Sequence, residues 1–181
     1  MAGTLKKGLA IAGTAAVVAA SGAQGQAVPE ATIDQNWLSA NPATKTATFS
    51  LTAGLTPYNG ALNFNGFRDG GLTLIVPVGW TVLVNFTNHD GMLPHSAEVI
   101  ADQKPVPNGA LEKPAIDRAY TNQVAEGLPP QTKDKMRFTA QPPGDYLFLC
   151  GVPGHGLAGM WIRLKVSSDA TAPSLVLTPK S

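Results

Sequence analysis

Cys150, His155 and Met160 stand on one stretch, Cys150-Gly151-Val152-Pro153-Gly154-His155-Gly156-Leu157-Ala158-Gly159-Met160, with four residues between each successive pair. Cys150 is the only cysteine of the chain, His155 one of three histidines and Met160 one of four methionines. A thiolate, an imidazole and a thioether are soft or borderline donors, and together they suit copper in both of its oxidation states. Gly151, Gly154, Gly156 and Gly159 let the backbone bend enough to aim three side chains at one point. Pro153 stiffens the loop and removes one N–H near the sulfur.

A blue-copper donor set needs a second imidazole, brought from elsewhere in the chain. His95, in Met92-Leu93-Pro94-His95-Ser96, stands where a turn-rich segment meets the apolar residues 97–100 and is the best candidate. His89 lies among turn formers in Asn88-His89-Asp90-Gly91 and reads as exposed and non-ligating. Taken singly, a cysteine is commonly a small buried hydrophobe, a histidine a surface or satisfied core residue, and a methionine core filler. It is their convergence on one glycine-rich loop, directly after a strand-like run, that favours a metal centre.

The motif C-x-x-P-G-H-x-x-x-G-M, following Asp145-Tyr146-Leu147-Phe148-Leu149, resembles the cupredoxins and, within them, sulfocyanin and rusticyanin. Leu62-Asn63-Phe64-Asn65-Gly66 and residues 80–96 are also similar to sulfocyanin. The resemblance spans roughly residues 34–167. It implies one type 1 copper ion held by His95, Cys150 and His155, with Met160 as the weak axial ligand. It also implies a Greek-key sandwich and single-electron transfer. Many cupredoxins carry Asn after the first histidine; here Ser96 stands there, as in rusticyanin. Met92, Leu93, Pro94, Leu157 and Trp161 are expected to crowd the site, and a dry, donor-poor centre implies a fairly high reduction potential.

The elements that must position these residues read as strands. Residues 45–53 alternate, with Ala47, Phe49, Leu51 and Ala53 on one face. Residues 61–67 read as a short strand interrupted by Gly66, and 72–76 as an apolar strand closed by Pro77. Residues 80–87 alternate again through Trp80, Val82, Val84 and Phe86, and 96–101 continue as a strand. Residues 135–140 place Met136 and Phe138 inward, 146–150 deliver the thiolate, and 161–166 form the last strand. Residues 31–41 show only a weak pattern. Residues 103–131 break the β rhythm with five prolines; within them, helical spacing of Ile116, Ala119, Tyr120 and Val124 predicts one short helix in the 112–126 region. Short strands with Pro/Gly turns make an all-β sandwich or barrel.

Lys6 and Lys7 precede an uncharged run of 13 residues, 8–20, and small residues follow to Ala27. That is the layout of a secretory signal peptide cut after Ala27, with Ala23 the second choice. The run is shorter than the roughly 20 residues of a membrane span; a retained N-terminus acting as a tether is the alternative. The expected organisation is a signal peptide over 1–27, a cupredoxin domain over 28–168 and a flexible tail over 169–181. The whole chain carries 13 basic and 12 acidic residues. Loss of the leader removes two lysines, and the near balance gives no argument for nucleic-acid binding. A lone cysteine in an exported chain permits no internal disulfide, and metal ligation explains it better than packing.

The expected function is an exported, periplasmic or extracytoplasmic monomer. It carries electrons from a cytochrome-type donor to a terminal oxidase or cytochrome acceptor. The alternative is a copper-binding or delivery protein without redox work. An enzyme is disfavoured: a multicopper centre needs more histidines than three, and a Cys–His nucleophile pair leaves Met160 unexplained.

Overall fold

A computed structural model describes Met1 and residues 31–178. The signal-peptide assignment over 1–27 lies outside the described residues apart from Met1. Among the described residues nine strands form two sheets: β1 (Leu38–Asn41), β2 (Thr46–Ala53), β3 (Leu72–Pro77), β4 (Thr81–Asn88), β5 (Glu98–Ala101), β6 (Lys133–Thr139), β7 (Gly144–Leu149), β8 (Trp161–Ser167) and β9 (Ser174–Leu177). The first sheet runs β1-β2-β4-β6 and the second β5-β7-β8-β3-β9. Pairs β2–β4 and β3–β8 are parallel and the others antiparallel. Helical structure among the described residues is confined to three short 3-10 turns.

Alternation in the sequence becomes alternation in burial. Along β2 every second residue, Ala47, Phe49, Leu51 and Ala53, is fully buried. Along β4 the buried set is Val82, Val84, Phe86 and Asn88. These faces meet Leu72, Leu74, Phe148, Ile162 and Leu164 of the second sheet in one core. Phe49 and Phe148 touch across the sandwich with ring centroids 6.1 Å apart. Near its β5-β7-β8 end the second sheet is buried on its other face too: Ile100, Leu147, Leu149 and Trp161 form a smaller cluster packed against Val106. Trp161 therefore lies on the outer face of β8, and not in the crowd around the site that the sequence suggests.

Three expectations are corrected. Residues 112–126 hold no helix: Arg118 and Gln123 adopt left-handed backbone angles, which interrupt a right-handed helix. The backbone groups of this segment bond to β5 and the residues leading into it, through Ala115 N to Val99 O, Val99 N to Ala119 O and Thr121 N to Ala97 O. The segment runs as an irregular edge along β5. Residues 61–67 make only isolated bridges, Ala53 with Phe64 and Phe64 with Phe67, around left-handed Ala61, Asn65 and Gly66. Residues 169–178 are not simply a tail, because Ser174–Leu177 pair with β3 as β9 and Leu175 packs on the core.

That last pairing is testable. A chain ending at Ser168 loses the β3–β9 ladder and the Leu175 contact, each a modest contribution. It should lose roughly 1–3 kcal/mol of stability, read as a lower denaturant midpoint, with the overall β circular dichroism retained. An unchanged midpoint would return residues 169–178 to the status of a tail.

Candidate metal centre

The β5–β7 register builds the site. Glu98 pairs with Leu149, so the residues preceding β5 and following β7 lie at one end of the sheet. His95 enters that end just before β5. Its backbone exchanges two hydrogen bonds with Leu128, N to O at 3.1 Å and O from N at 2.8 Å. Cys150 leaves the end of β7, and its amide donates to the Met160 carbonyl at 3.1 Å, which closes the loop at its base. Inside that closure, Met160 N donates to His155 O at 3.0 Å and His155 N to Val152 O at 3.1 Å.

The glycines of the loop divide into two uses. Gly154 and Gly159 take left-handed angles, φ +85° and +93°. Gly151 and Gly156 allow close approach: a Cβ there would stand 2.5 Å from Val124 and 2.6 Å from Leu149.

The loop is braced from three sides. Gly154 N donates to both the backbone and side-chain oxygens of Asn108, at 2.7 and 3.0 Å, and Ala110 N donates to Gly151 O at 2.8 Å. Asn59 Nδ2 donates to Ala158 O at 2.8 Å, while Asp69 N donates to Gly159 O at 2.9 Å. Ser96 Oγ accepts from Gly151 N at 3.0 Å and donates to Val124 O at 2.6 Å.

The ligand-type atoms of His95, Cys150 and His155 all lie within 4.8 Å of one another, an arrangement able to hold a metal ion. Cys150 Sγ is 3.5 Å from His155 Nδ1, and the two imidazole centroids are 5.1 Å apart. Cys150, His95 and Met160 are fully buried and His155 is half-buried. His89 is exposed and stands outside the cluster. The fit to a metal is visible in His95 itself. Its Nε2 is engaged by Asp90 Oδ2 at 3.0 Å, while its Nδ1 is buried with no hydrogen-bond partner. A buried polar atom without a partner is costly, and a metal ion satisfies it.

Cys150 Sγ is not without a donor: Ser96 N donates to it at 3.5 Å, and Ser96 Oγ, whose proton goes to Val124 O, lies 3.9 Å away. The reading of a donor-poor, apolar enclosure is corrected on that point. Met92 and Leu157 do not enclose the site either. They are 85% and 59% exposed.

Burial pushes the Cys150 thiol above its ordinary range, against the opposing hydrogen bonds from Ser96 and Val152. Burial lowers His95, with Asp90 pulling the other way. His155 is pushed down to about 4, first by burial and then by the neighbouring His95. Both imidazoles are thus kept as the neutral bases a metal requires.

Sequence reasoning reads Asn88, Asp90, Asn59, Arg68 and Asp69 only as parts of turns and gives Asn108 no role, so their contacts at the site are missed. Asp90 and Asn88 lie in a stretch whose composition already explains itself as a turn, so their inward contacts carried no separate signal. Asn88 is fully buried, and its Nδ2 donates to the carbonyls of Leu93, Leu128 and Pro129, which ties the His95 approach to the segment beside it.

The Sulfocyanin (SoxE) domain matches residues 34–177. Sulfocyanin of Sulfolobus acidocaldarius is 31% identical over 121 residues, which is 64% of this chain and 60% of the length of that protein. Rusticyanin from Thiobacillus ferrooxidans is 25% identical, with 73% of this chain and 88% of that one covered at a TM-score of 0.50. Substituted forms of rusticyanin are 26% identical, with 68% and 78% covered at a TM-score of 0.51.

The depressed His155 gives a pH dependence with a definite sign. The denatured chain protonates this imidazole near 6.5, whereas the folded metal-free chain resists protonation until about 4. The unfolded state therefore binds more protons in that window, and folding stability falls as pH drops through it. Denaturation of the metal-free protein at a series of pH values should show this slope, and His155→Phe should reduce it to the part contributed by the lowered His95. A His155 NMR titration midpoint near 6.5 in the metal-free protein would contradict the assigned environment.

Proposed function

Because the chain belongs to the sulfocyanin family of cupredoxins, we propose that it is a type 1 copper electron carrier whose ion is held by His95, Cys150 and His155 and completed weakly by Met160. One observation carries this reading above others: three ligand-type atoms converge within 4.8 Å, and among them His95 Nδ1 has no partner in the protein. Copper, when bound, supplies a one-electron couple. The chain's own residues supply rigidity. Ser96 fixes Gly151, Asn108 fixes Gly154, and the Asn59–Asp69 side fixes Ala158 and Gly159. Donors held this way move little between oxidation states, which lowers the rearrangement needed for electron transfer.

The alternative of copper delivery fits less well. A delivery site must hand its ion over, but Cys150, His95 and Met160 are fully buried on a braced framework.

Electrons are proposed to pass at the half-buried edge of His155. Met92, Leu93 and Leu157, from the two ligand-bearing loops, are exposed, and we take them as the surface beside that edge. An apolar patch of this kind suits a small, transient interface. The proposed partners are a cytochrome-type donor and a terminal oxidase or cytochrome acceptor. The setting is extracytoplasmic, reached through the proposed leader over 1–27, with a retained tether as the alternative.

Two measurements test this. Copper-loaded protein should show an intense visible thiolate-to-copper band and the corresponding EPR spectrum. Cys150→Ser should abolish the band, and His89→Ala should leave it intact. An intense band in the serine variant would remove Cys150 from the ligand set.

Leu157→Glu should preserve copper content and colour while slowing second-order electron exchange with a cytochrome at matched driving force and salt, by about tenfold. Equal rates would move the electron port away from this patch.

A further inference from the structure

Asp90 is a buried carboxylate that the functional reading leaves without a role. It is 8% exposed, and its two oxygens face different ways. Oδ1 accepts the amides of Met92 and Leu93 at 2.8 and 3.2 Å, as in an Asx turn. Oδ2 stands 3.0 Å from His95 Nε2. The aspartate is itself tightly held. Its amide donates to Asn88 Oδ1 at 3.0 Å, and its carbonyl accepts from Gln131 Nε2 at 3.1 Å. Gly54 packs so closely that a Cβ added there would stand 2.9 Å from the Cβ of Asp90.

Resting on the ligand assignment above, we infer that Asp90 is the positioning residue of the centre: it fixes the proton of His95 on Nε2 and lowers the reduction potential of the bound ion. The first half follows from donor and acceptor rules. A carboxylate oxygen can only accept, so Nε2 carries the proton and Nδ1 presents its lone pair to the cluster. The second half follows from charge. A doubly charged ion bound by one thiolate retains one positive charge. A carboxylate one imidazole away neutralises it, while the singly charged ion gains nothing from the same neighbour. Asp90 therefore favours the oxidised state. The same side chain shapes the backbone of Met92 and Leu93, so the exposed patch and the buried ligand share one anchor.

Asp90→Asn separates this role from a purely structural one. Asparagine forms the same turn, with Oδ1 accepting the two amides. Its Nδ2 then faces His95, and two donors oppose each other unless the imidazole proton moves to Nδ1. The first measurement is long-range nitrogen–proton NMR of the metal-free proteins. The wild type should show His95 protonated at Nε2, and the variant should show a shift toward Nδ1. The second measurement is potentiometry of the copper-loaded proteins. The variant should favour the reduced state by roughly tenfold, which is about 60 mV upward for one electron.

A wild-type His95 protonated on Nδ1 would overturn the inference without any substitution. So would a variant whose potential stays within a twofold equilibrium shift or moves downward. A variant that folds, shows the moved proton and no longer retains copper supports it. Wild-type protein lacking the intense band would instead refute the copper-carrier reading, and the tautomer measurement would still stand on its own.

Discussion

Everything at the metal end depends on the register of β5 against β7. With Glu98 opposite Leu149, the residues before β5 meet those after β7, and Gly151 N reaches Ser96 Oγ. Side chains along a strand alternate between faces, so Cys150 points into the main core while Leu149 points into the outer cluster. A slip by one residue would exchange them and carry the thiol to the wrong face. Two features hold the register. Leu147, Leu149, Ile100 and Trp161 fill the outer face, so the pair is buried on both sides. Ser96 then locks the last step by accepting from Gly151 and donating to Val124.

The segment between β5 and β6 is the second contributor. It carries no regular structure, and several of its backbone groups bond to β5 and to the two ligand-bearing loops. Asn108 and Ala110 hold Gly154 and Gly151, Leu128 pairs with His95, and Leu111 N donates to the buried Glu98 at 3.0 Å. Burial raises the Glu98 carboxyl above its ordinary range, with the Leu111 amide opposing the shift. The segment thus works as a clamp whose shape is dictated by what it holds.

This explains what was legible in the sequence. The ligand loop announced itself because three unusual donors share one short stretch. The long strands were legible because β2 and β4 bury every second residue with no exception. The short edge strands β1 and β9 bury none of their residues fully, so no alternation marks them. The helical spacing of Ile116, Ala119, Tyr120 and Val124 was misleading for a physical reason. Ile116 and Ala119 are buried, but Tyr120 is exposed, because the segment lies along a sheet edge instead of coiling. Asp90 escaped notice because a turn-forming aspartate and a histidine-orienting one look the same in a sequence. Only the direction of its second oxygen tells them apart.

The placement of the donors also bears on how the holoprotein forms. Cys150, His155 and Met160 are near neighbours in the chain, whereas His95 reaches them only when β5 and β7 pair. Under the proposed ligand set, an unfolded chain would already bring the first three close, because closing a loop that short costs little entropy. Any metal affinity in the denatured ensemble cancels part of the stabilisation that binding confers on the native state. The net gain from the ion would then be smaller than the total strength of the site. With those ligands, copper captured before folding would act as a local crosslink that folding completes through His95.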